Sequence, residues 1–273
     1  MNEKIKIFCL CIHNELLNKV KKIGYEPVGL GENHFDKGWL RDNTYKNISN
    51  KNIYYGEYSF HYWIWKNKIN IFDKNDWVGF CAYRRFWLNN KNTTSQNENF
   101  ENKILKKIPK DWSEYDTILA EKIDLEKIKF IKILKYGKLA MIKNPKSIFS
   151  SGRNIKFHFD MFHGNGVLEK AISVLNINDR DDFKDFINNN NSFNQANMFI
   201  CKSPTLLMRY YDCIFEWLFN CEKIFGFNLK GYGQIRLYAF LAERFLPFWF
   251  KKYSKCLDWP IVFNDLRKEN FQQ

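Results

Sequence analysis

No stretch of the chain approaches the ~18 uninterrupted apolar residues that a membrane-spanning helix needs. CxxC pairs are absent, and the seven cysteines are an odd number, which argues against a complete disulfide framework and for buried thiols in a reducing cytosol. Cys9 and Cys11 alternate along a predicted strand, while Cys213 and Cys221 fall in an apolar helical stretch. The five histidines, at 13, 34, 61, 158 and 163, form no HExxH and no other ligand spacing, so a zinc site is not expected. There is no glycine-rich phosphate loop: Gly29 and Gly31 lack the remainder of a dinucleotide fingerprint. Internal repeats and Pro/Gly-rich linkers are also missing, and the one low-complexity tract, NNNN at 188–191, reads as a loop.

What is abundant is aromatic. Phe, Tyr and Trp number 26, 14 and 9 and make up 18% of 273 residues, within an apolar fraction of 45%. Such a chain packs a substantial core and is not disordered, and its length suits one large domain or two small ones. The amino-terminal run IKIFCLCI is short, lacks a small-residue cleavage site and leads directly into His13-Asn14-Glu15. It is expected to be a first strand and not a signal peptide. The formal charge is +13, with a pI near 9.3. That field suits polyanions: nucleic acid, an anionic membrane surface or phosphorylated substrates. The lysines are scattered and no nucleic-acid-binding motif is present, so charge by itself does not choose among them.

Residue patterns predict strands at 4–12, 25–31, 76–81 and 115–121, with a short helix at 14–22 and an aromatic helix at about 55–67. This alternation indicates an α/β sheet core. The polar excursion NNKNTTSQNENF, from position 89, is expected to be an exposed, mobile loop. The second half reads as mostly helical. ANMFICK at 196–202 is a short buried strand, after which Ser203 and Pro204 provide an N-cap and a first helical position. Leu207, Tyr210, Tyr211, Ile214, Leu218 and Cys221 keep helical spacing and form a core stripe. A further helix is expected at about 231–246, carrying Tyr232, Arg236, Glu243 and Arg244. The run ERFLPFWFKKYSK, mixing aromatics with Lys251, Lys252 and Lys255, has the composition of a membrane-surface segment, or of a buried helix end with a solvated basic tail.

The stretch WVGFCAYRRFW, residues 77–87, raises the sharpest chemical question. An apolar strand ends in Tyr83, Arg84 and Arg85, and two adjacent guanidiniums at a strand exit are costly near a core unless an anion lies there. One arginine paired with a carboxylate and the other solvated would satisfy the same pattern. The literal Asp-x-Asp, Asp179-Arg180-Asp181, opens a helical segment. Acidic residues favour a first turn, so it reads as a helix start and not as a metal site. His163 is followed by Gly164 and Gly166 in an expected open turn, and Glu57 and Lys66 interrupt the aromatic stretch YYGEYSFHYWIWKN. His163 and Glu57 are candidates for proton transfer, and both also have ordinary structural readings.

Three stretches in order, DNTYKNISNKN (42–52), EYSFHYWIWKN (57–67) and GFCAYRRFW (79–87), change those odds, together with QANMFICK (195–202) and YGQIRLYAFLAERF (232–245). They resemble a family of bacterial capsule and exopolysaccharide glycosyltransferases long labelled as a domain of unknown function. Its members carry patterns like DNxGxNIS-xKN, ELTxxYWIWKN, GLCHYRRYF, NMFIMxK and YxxRxxGFLxERL. The resemblance covers nearly the whole chain. Ala82 stands where the family has histidine, Tyr45 where it has glycine, and Tyr58-Ser59 where it has Leu-Thr. The first of these removes a polar group beside the phosphate site.

The resemblance implies one glycosyltransferase domain with a GT-A-like, nucleotide-diphospho-sugar-binding α/β fold. Its N-terminal nucleotide-binding part would cover about 1–121, and a mainly helical acceptor-side part about 122–273. Some members are associated with galactofuranose transfer. The implied reaction moves a hexose, galactofuranose or an N-acetylated relative, from a UDP-sugar to a surface-polysaccharide acceptor with inversion. Arg84 and Arg85 would stand where GT-A enzymes place acidic metal ligands, neutralising the diphosphate with no divalent metal and no cofactor. His13, Asp42 and Asn43 are then the expected uridine contacts, Tyr83 belongs to the same substrate-binding set, and Lys66 is a second phosphate cation. Glu57 and His163 are the candidate bases for the acceptor hydroxyl. Asn197, on the short strand, would hold donor or acceptor hydroxyls. Arg236 and Glu243 are substrate contacts or, alternatively, a structural ion pair between helices. A lipid-linked glycan acceptor would bring this basic, cytoplasmic protein to the inner face of the plasma membrane, with no specific nucleic acid as partner. Two alternatives stay open: the same fold acting on a UDP-pyranose, and a non-catalytic basic module for membrane or nucleic acid. Salt-dependent nucleic-acid binding without UDP binding would mark the last.

Overall fold

Side chains along the first strand alternate between two separate cores, and that alternation sets the architecture. In β1 (Ile5–Cys11), Phe8 and Leu10 enter one hydrophobic cluster while Ile7, Cys9 and Cys11 enter another. The same split recurs across β4 (Trp77–Ala82), β6 (Thr117–Ala120) and β9 (Phe199–Cys201): Val78, Phe80, Leu119 and Phe199 face one core, and Trp77, Cys81, Ile118 and Ile200 the other. A sheet buried on both faces needs apolar residues at successive positions, which is why these strands read as continuous apolar runs. The computed structural model describes residues 4–73, 75–91 and 99–268; most of the polar excursion expected as a loop, 92–98, lies outside them.

The remaining strands are β2 (Glu26–Gly29), β3 (Leu40–Arg41), β5 (Arg85–Trp87), β7 (Lys122–Asp124), β8 (Ser192–Asn194), β10 (Cys256–Trp259) and β11 (Ile261–Phe263). The main sheet runs β10-β6-β9-β4-β1-β2-β3, with β5 joined to β4 and β11 joined to β5. β1 is parallel to β2 and β4, β2 to β3, and β6 to β10, whereas β9 runs antiparallel between β4 and β6. β7 and β8 form a separate two-stranded ribbon. The helices Tyr58–Asn67, Pro204–Phe225 and Leu237–Tyr253 supply one core, and the tryptophans 39, 77, 87, 112 and 259 are buried in the other.

Several elements differ from the expectation. The aromatic helix is split into Asn52–Tyr55 and Tyr58–Asn67, because Gly56 adopts φ +54° and ψ −131° between them. The strand expected at 196–202 is limited to β9, since Ala196 (φ +74°) and Asn197 (φ +50°) turn in the left-handed region just before it. Pro247 does not stop the last long helix, which continues to Tyr253. Burial of Phe245, Phe248, Trp249 and Phe250 outweighs the single backbone hydrogen bond that proline removes.

That burial also decides between the two readings of 243–255, for the buried helix end and against the membrane-surface segment. The aromatics there are core, and the lysines have partners: Lys251 Nζ donates to Asn194 Oδ1 at 2.6 Å, Lys252 to Asp179 Oδ1 at 2.8 Å, and Lys255 to Glu114 Oε2 at 2.9 Å. Asp179 and Asp181 lie inside the helix Ile177–Asn189, whose cap is Asn176. Asp179 is buried and also accepts from Tyr253 Oη at 2.7 Å, while Asp181 is exposed. Among the described residues no helix is long and apolar enough to cross a membrane.

Candidate active site

From β1 the chain steps outward to β2 and β3, and β4 then pairs with β1 on the opposite side. In open α/β sheets the crevice beyond the carboxyl ends of the strands, at such a reversal, is the ligand-binding place. A cavity of about 450 Å³ lies there. The exits of β1 and β2 contribute Leu10, Ile12 and Leu30, and the β4–β5 connection contributes Ala82 to Arg85. The remaining lining comes from the turn at 52–57 and from Tyr232, Ile235 and Arg236.

β4 does not simply end in two arginines. Ala82 pairs with Arg85 across a two-residue turn made by Tyr83 and Arg84, so Arg85 opens β5. The carboxy-terminal segment pins this turn: the Asn264 N–H donates to the Arg84 carbonyl at 3.0 Å, and the Leu266 N–H to the Tyr83 carbonyl at 3.3 Å. Tyr83 is buried, with its ring edge-on to His13 at 5.0 Å and the guanidiniums of Arg84 and Arg267 at 5.1 and 5.5 Å from its centre. The nearby Asp265 carboxylate is forked by Arg267, with Nε to Oδ1 at 2.9 Å and Nη2 to Oδ2 at 2.5 Å, and Arg84 acts on it only as a weaker, longer-range charge. Arg84 and Arg85 are half-buried, and neither makes a side-chain hydrogen bond or ion pair with a described residue.

Glu57 and Arg236 complete the charged lining. Arg236 Nη2 donates to Glu57 Oε2 at 3.3 Å, and the Glu57 carboxylate holds the guanidinium pKa above its ordinary value against the opposing effect of burial. Gly56 makes this approach possible, since a Cβ there would collide with Arg236 Nη2. The cavity lining therefore holds three guanidiniums and one carboxylate, a balance suited to an anion.

The other sequence-derived candidates are placed differently. Asp42 is fully buried beneath the site: it accepts from the Gly31 N–H at 2.8 Å and from Ser59 Oγ at 2.5 Å, and burial raises its pKa despite those bonds. It ties the exit of β2 to the helix that starts at Tyr58. Asn43 is exposed beside it. His13 reaches the site through Tyr83 and lies 3.7 Å from Glu15. Lys66 is at the far end of the Tyr58–Asn67 helix, ~13 Å along the axis from Glu57, with its ammonium over the Trp65 ring.

His163 closes the helix Ile155–His163 and does not line the cavity. Its ring stacks on Phe240 with centroids 4.0 Å apart, its Nδ1–H donates to the Gly233 carbonyl at 2.8 Å, and burial with the Arg244 charge pushes its pKa down to about 4. Arg236 and Glu243 do not pair with each other. Glu243 Oε1 instead accepts from the Ala196 N–H at 2.7 Å and its Oε2 binds Arg244, whose Nη2 donates to His158 Nδ1 at 3.1 Å. Asn197 adjoins this cluster, its Nδ2 donating to the Ala239 carbonyl at 3.1 Å while Oδ1 is buried without a described partner.

The structure thus unites Tyr83, Arg84, Arg85, Glu57 and Arg236 at one cavity and gathers Glu243 and Asn197 in a second, buried cluster. Tyr232, 71% exposed at the cavity, was read as part of its helix but not as a site residue; its signal is its place at the start of the last motif. Among the described residues no group of three or more His, Cys, Asp or Glu side chains could hold a metal ion.

The fold is α/β of the GT-A-like kind, a mixed sheet with parallel strands and covering helices. A solved structure with the same architecture is the apo form of the bifunctional glycosyltransferase WbbM. It is similar with a TM-score of 0.62 and 18% sequence identity, over 96% of this chain and 45% of that one. The chain therefore spans less than half the length of WbbM, and at that identity the likeness is one of fold. The chain belongs to the family described as a domain of unknown function (DUF4422), whose model matches residues 6–254. No curated protein matches it.

Proposed function

We propose that the protein is a glycosyltransferase that takes a nucleoside-diphosphate sugar as donor, without a divalent metal and with inversion. The observation that carries this reading is the pair Arg84 and Arg85: two adjacent guanidiniums with no hydrogen bond or ion pair to a described side chain, at the switch point of a GT-A-like sheet. Guanidinium forks fit phosphate oxygens, and they stabilise the charge that grows on a departing diphosphate. The name of the similar structure, a bifunctional glycosyltransferase, supports the same class. UDP as the nucleotide, a hexose such as galactofuranose as the cargo, and a surface glycan or lipid-linked glycan as the acceptor follow from the sequence resemblance, as does a cytoplasmic location at the inner membrane face.

Glu57 is our choice of base. It lines the cavity, and Arg236 orients its carboxylate. The acceptor hydroxyl gives its proton to Glu57 as its oxygen attacks the anomeric carbon. The bond from that carbon to the diphosphate breaks, and the nucleoside diphosphate leaves with the electron pair beside Arg84 and Arg85. His163 is better suited to positioning: held neutral, it braces the turn at Gly233 that precedes Arg236. Asp42 acts from beneath, through the turns it joins.

The test is a UDP-release assay with a panel of UDP-sugars and glycan acceptors in excess chelator, beside calorimetric titration of UDP. Turnover is expected to persist in chelator. Glu57→Gln is expected to lower it by about 10²–10⁴-fold with UDP affinity nearly intact. A strict need for Mg²⁺ or Mn²⁺, or failure of the folded protein to bind UDP, sinks the proposal.

A further inference from the structure

A second basic region lies away from the cavity. Between residues 127 and 149 there are seven lysines and no aspartate or glutamate. All seven lysines are exposed. Lys127 lies 3.4 Å from Asp124, and the other six have no ion pair with a described residue. The same segment is where large apolar side chains meet solvent: of the seventeen that are exposed among the described residues, eight fall between 130 and 149. Concentration in one short segment separates this patch from the singly scattered surface hydrophobics that any protein carries.

The segment folds as two short helices, Phe130–Tyr136 and Lys138–Lys143, followed by a turn at Pro145–Ile148. Ile133 and Ala140 pack inward on Phe157 and Met161 as a small core of their own. Ile131, Leu139, Ile142 and Phe149 are 74%, 62%, 72% and 71% exposed, so each helix is held by one narrow stripe and offers apolar side chains outward. The presentation is fixed at both ends by one buried side chain. Arg153 Nη1 donates to the carbonyls of Glu126 and Ile128, both at 2.9 Å, while its Nε donates to the Ser147 carbonyl at 3.2 Å and Nη2 to the Ile148 carbonyl at 3.3 Å.

Charge and apolarity together select the partner. A nucleic acid would use the lysines but has no use for exposed isoleucine and leucine. A second copy of the chain would set seven lysines against seven like charges. A bilayer with anionic headgroups satisfies both features: apolar side chains enter the acyl boundary, and ammoniums on flexible stems stay with the phosphates. We propose that the 127–149 face docks on an anionic phospholipid bilayer. This deepens the sugar-transfer reading by bringing the cavity to a membrane, and its test stands apart from donor binding.

The test is vesicle flotation of the full chain with mixed phosphatidylglycerol and phosphatidylcholine, compared with phosphatidylcholine alone. Binding to the mixed vesicles is expected, weakening as salt is raised. Lys132→Gln, Lys135→Gln and Lys138→Gln combined should weaken it on the order of a hundredfold, at roughly fivefold per lysine. Ile131→Ser, Ile142→Ser and Phe149→Ser combined should abolish flotation. Both variants should keep the wild-type unfolding midpoint and UDP affinity, because every substituted side chain is exposed and outside the cavity. Equal binding to neutral vesicles, undiminished binding by either variant, or an apolar face that proves to hold a dimer in sedimentation would each overturn the proposal.

Discussion

The sheet edge and the 127–149 face both carry positive charge, and they carry it in different forms. At the edge the cations are two half-buried arginines, Arg84 on a two-residue turn near Tyr83 and Arg85 opening the next strand, with the turn pinned by backbone bonds from residues 264 and 266. On the face they are all lysines, exposed and interleaved with isoleucine, leucine and phenylalanine. A planar fork held in place suits a ligand whose oxygens have a fixed geometry, whereas an ammonium on a flexible stem suits a surface whose phosphates move laterally. A formal charge of +13 merges the two. Which cation carries the charge, and what sits beside it, tells them apart.

The strongest way to break this comparison is to remove the forks. Arg84→Ala or Arg85→Ala should lower turnover by about 10²–10³-fold, the scale for losing one preorganised donor to developing charge. Lysine at either position should recover a part, since an ammonium cannot make the bidentate contact. Steady-state UDP release checks both, with vesicle flotation as the control expected not to change. Full recovery by lysine would mean that the edge, too, needs charge alone.

A smaller effect is expected at Gly56, which lets the Glu57–Arg236 pair form. A side chain at φ +54° is strained, at a cost of about 1–3 kcal/mol, and a Cβ there displaces the Arg236 guanidinium. Gly56→Ala should therefore lower unfolding free energy in urea by that amount and weaken UDP binding, leaving vesicle binding unchanged. Wild-type stability and UDP affinity in this variant would show that the turn relaxes freely.

The core can be separated from its basic exterior by pH. His61 and His163 are buried, and burial pushes their pKa values from 6.5 down to about 3 and about 4. Unfolding raises each back toward 6.5, so the unfolded chain binds more protons in acid. Stability from the two neutral imidazoles is then complete above pH 6.5 and lost as pH falls toward 4, by about 1.4 kcal/mol per unit for each. Urea midpoints between pH 7 and 5 read this before most carboxylates titrate, and the lysines stay charged throughout. A flat profile in that window would mean that these rings are solvated.

Much of the sheet was legible because its central strands are buried on both faces and so appear as unbroken apolar runs. β3, β5, β10 and β11 escaped notice, being two to four residues long at or near the periphery, too short for a period of two to show. At the site, the motif around Arg84 and Arg85 could be read directly, but spacing cannot say which distant motif shares its crevice. Arg236 meets Glu57 across 179 positions, while Lys66, in the same motif as Glu57, ends up a helix length away. The two basic aliphatic or aromatic runs show the same limit from the other side. Residues 243–255 allowed a membrane-surface segment or a buried helix end, and they are core, because Lys251, Lys252 and Lys255 find polar partners and the rings turn inward. Residues 127–149 drew no reading of their own within the mostly helical second half, because whether an apolar helical stripe faces in or out is decided by what packs against it.

The smallest expected effect is the most discriminating. Arg for Lys at positions 132, 135 and 138 preserves every charge on the face, as Lys for Arg at 84 and 85 preserves every charge at the edge. Neither exchange alters the formal +13, so the long-range field is the same in both experiments and only the shape of the cation changes. On the face, vesicle affinity should stay within about twofold, because headgroup phosphates rearrange around either cation. At the edge, the equivalent exchange should leave a large deficit in turnover. Flotation isotherms on the triple Lys→Arg variant measure the first quantity. A tenfold or greater gain there would mean that the face recognises individual phosphates by fork geometry, and the two regions would then differ in ligand but not in principle.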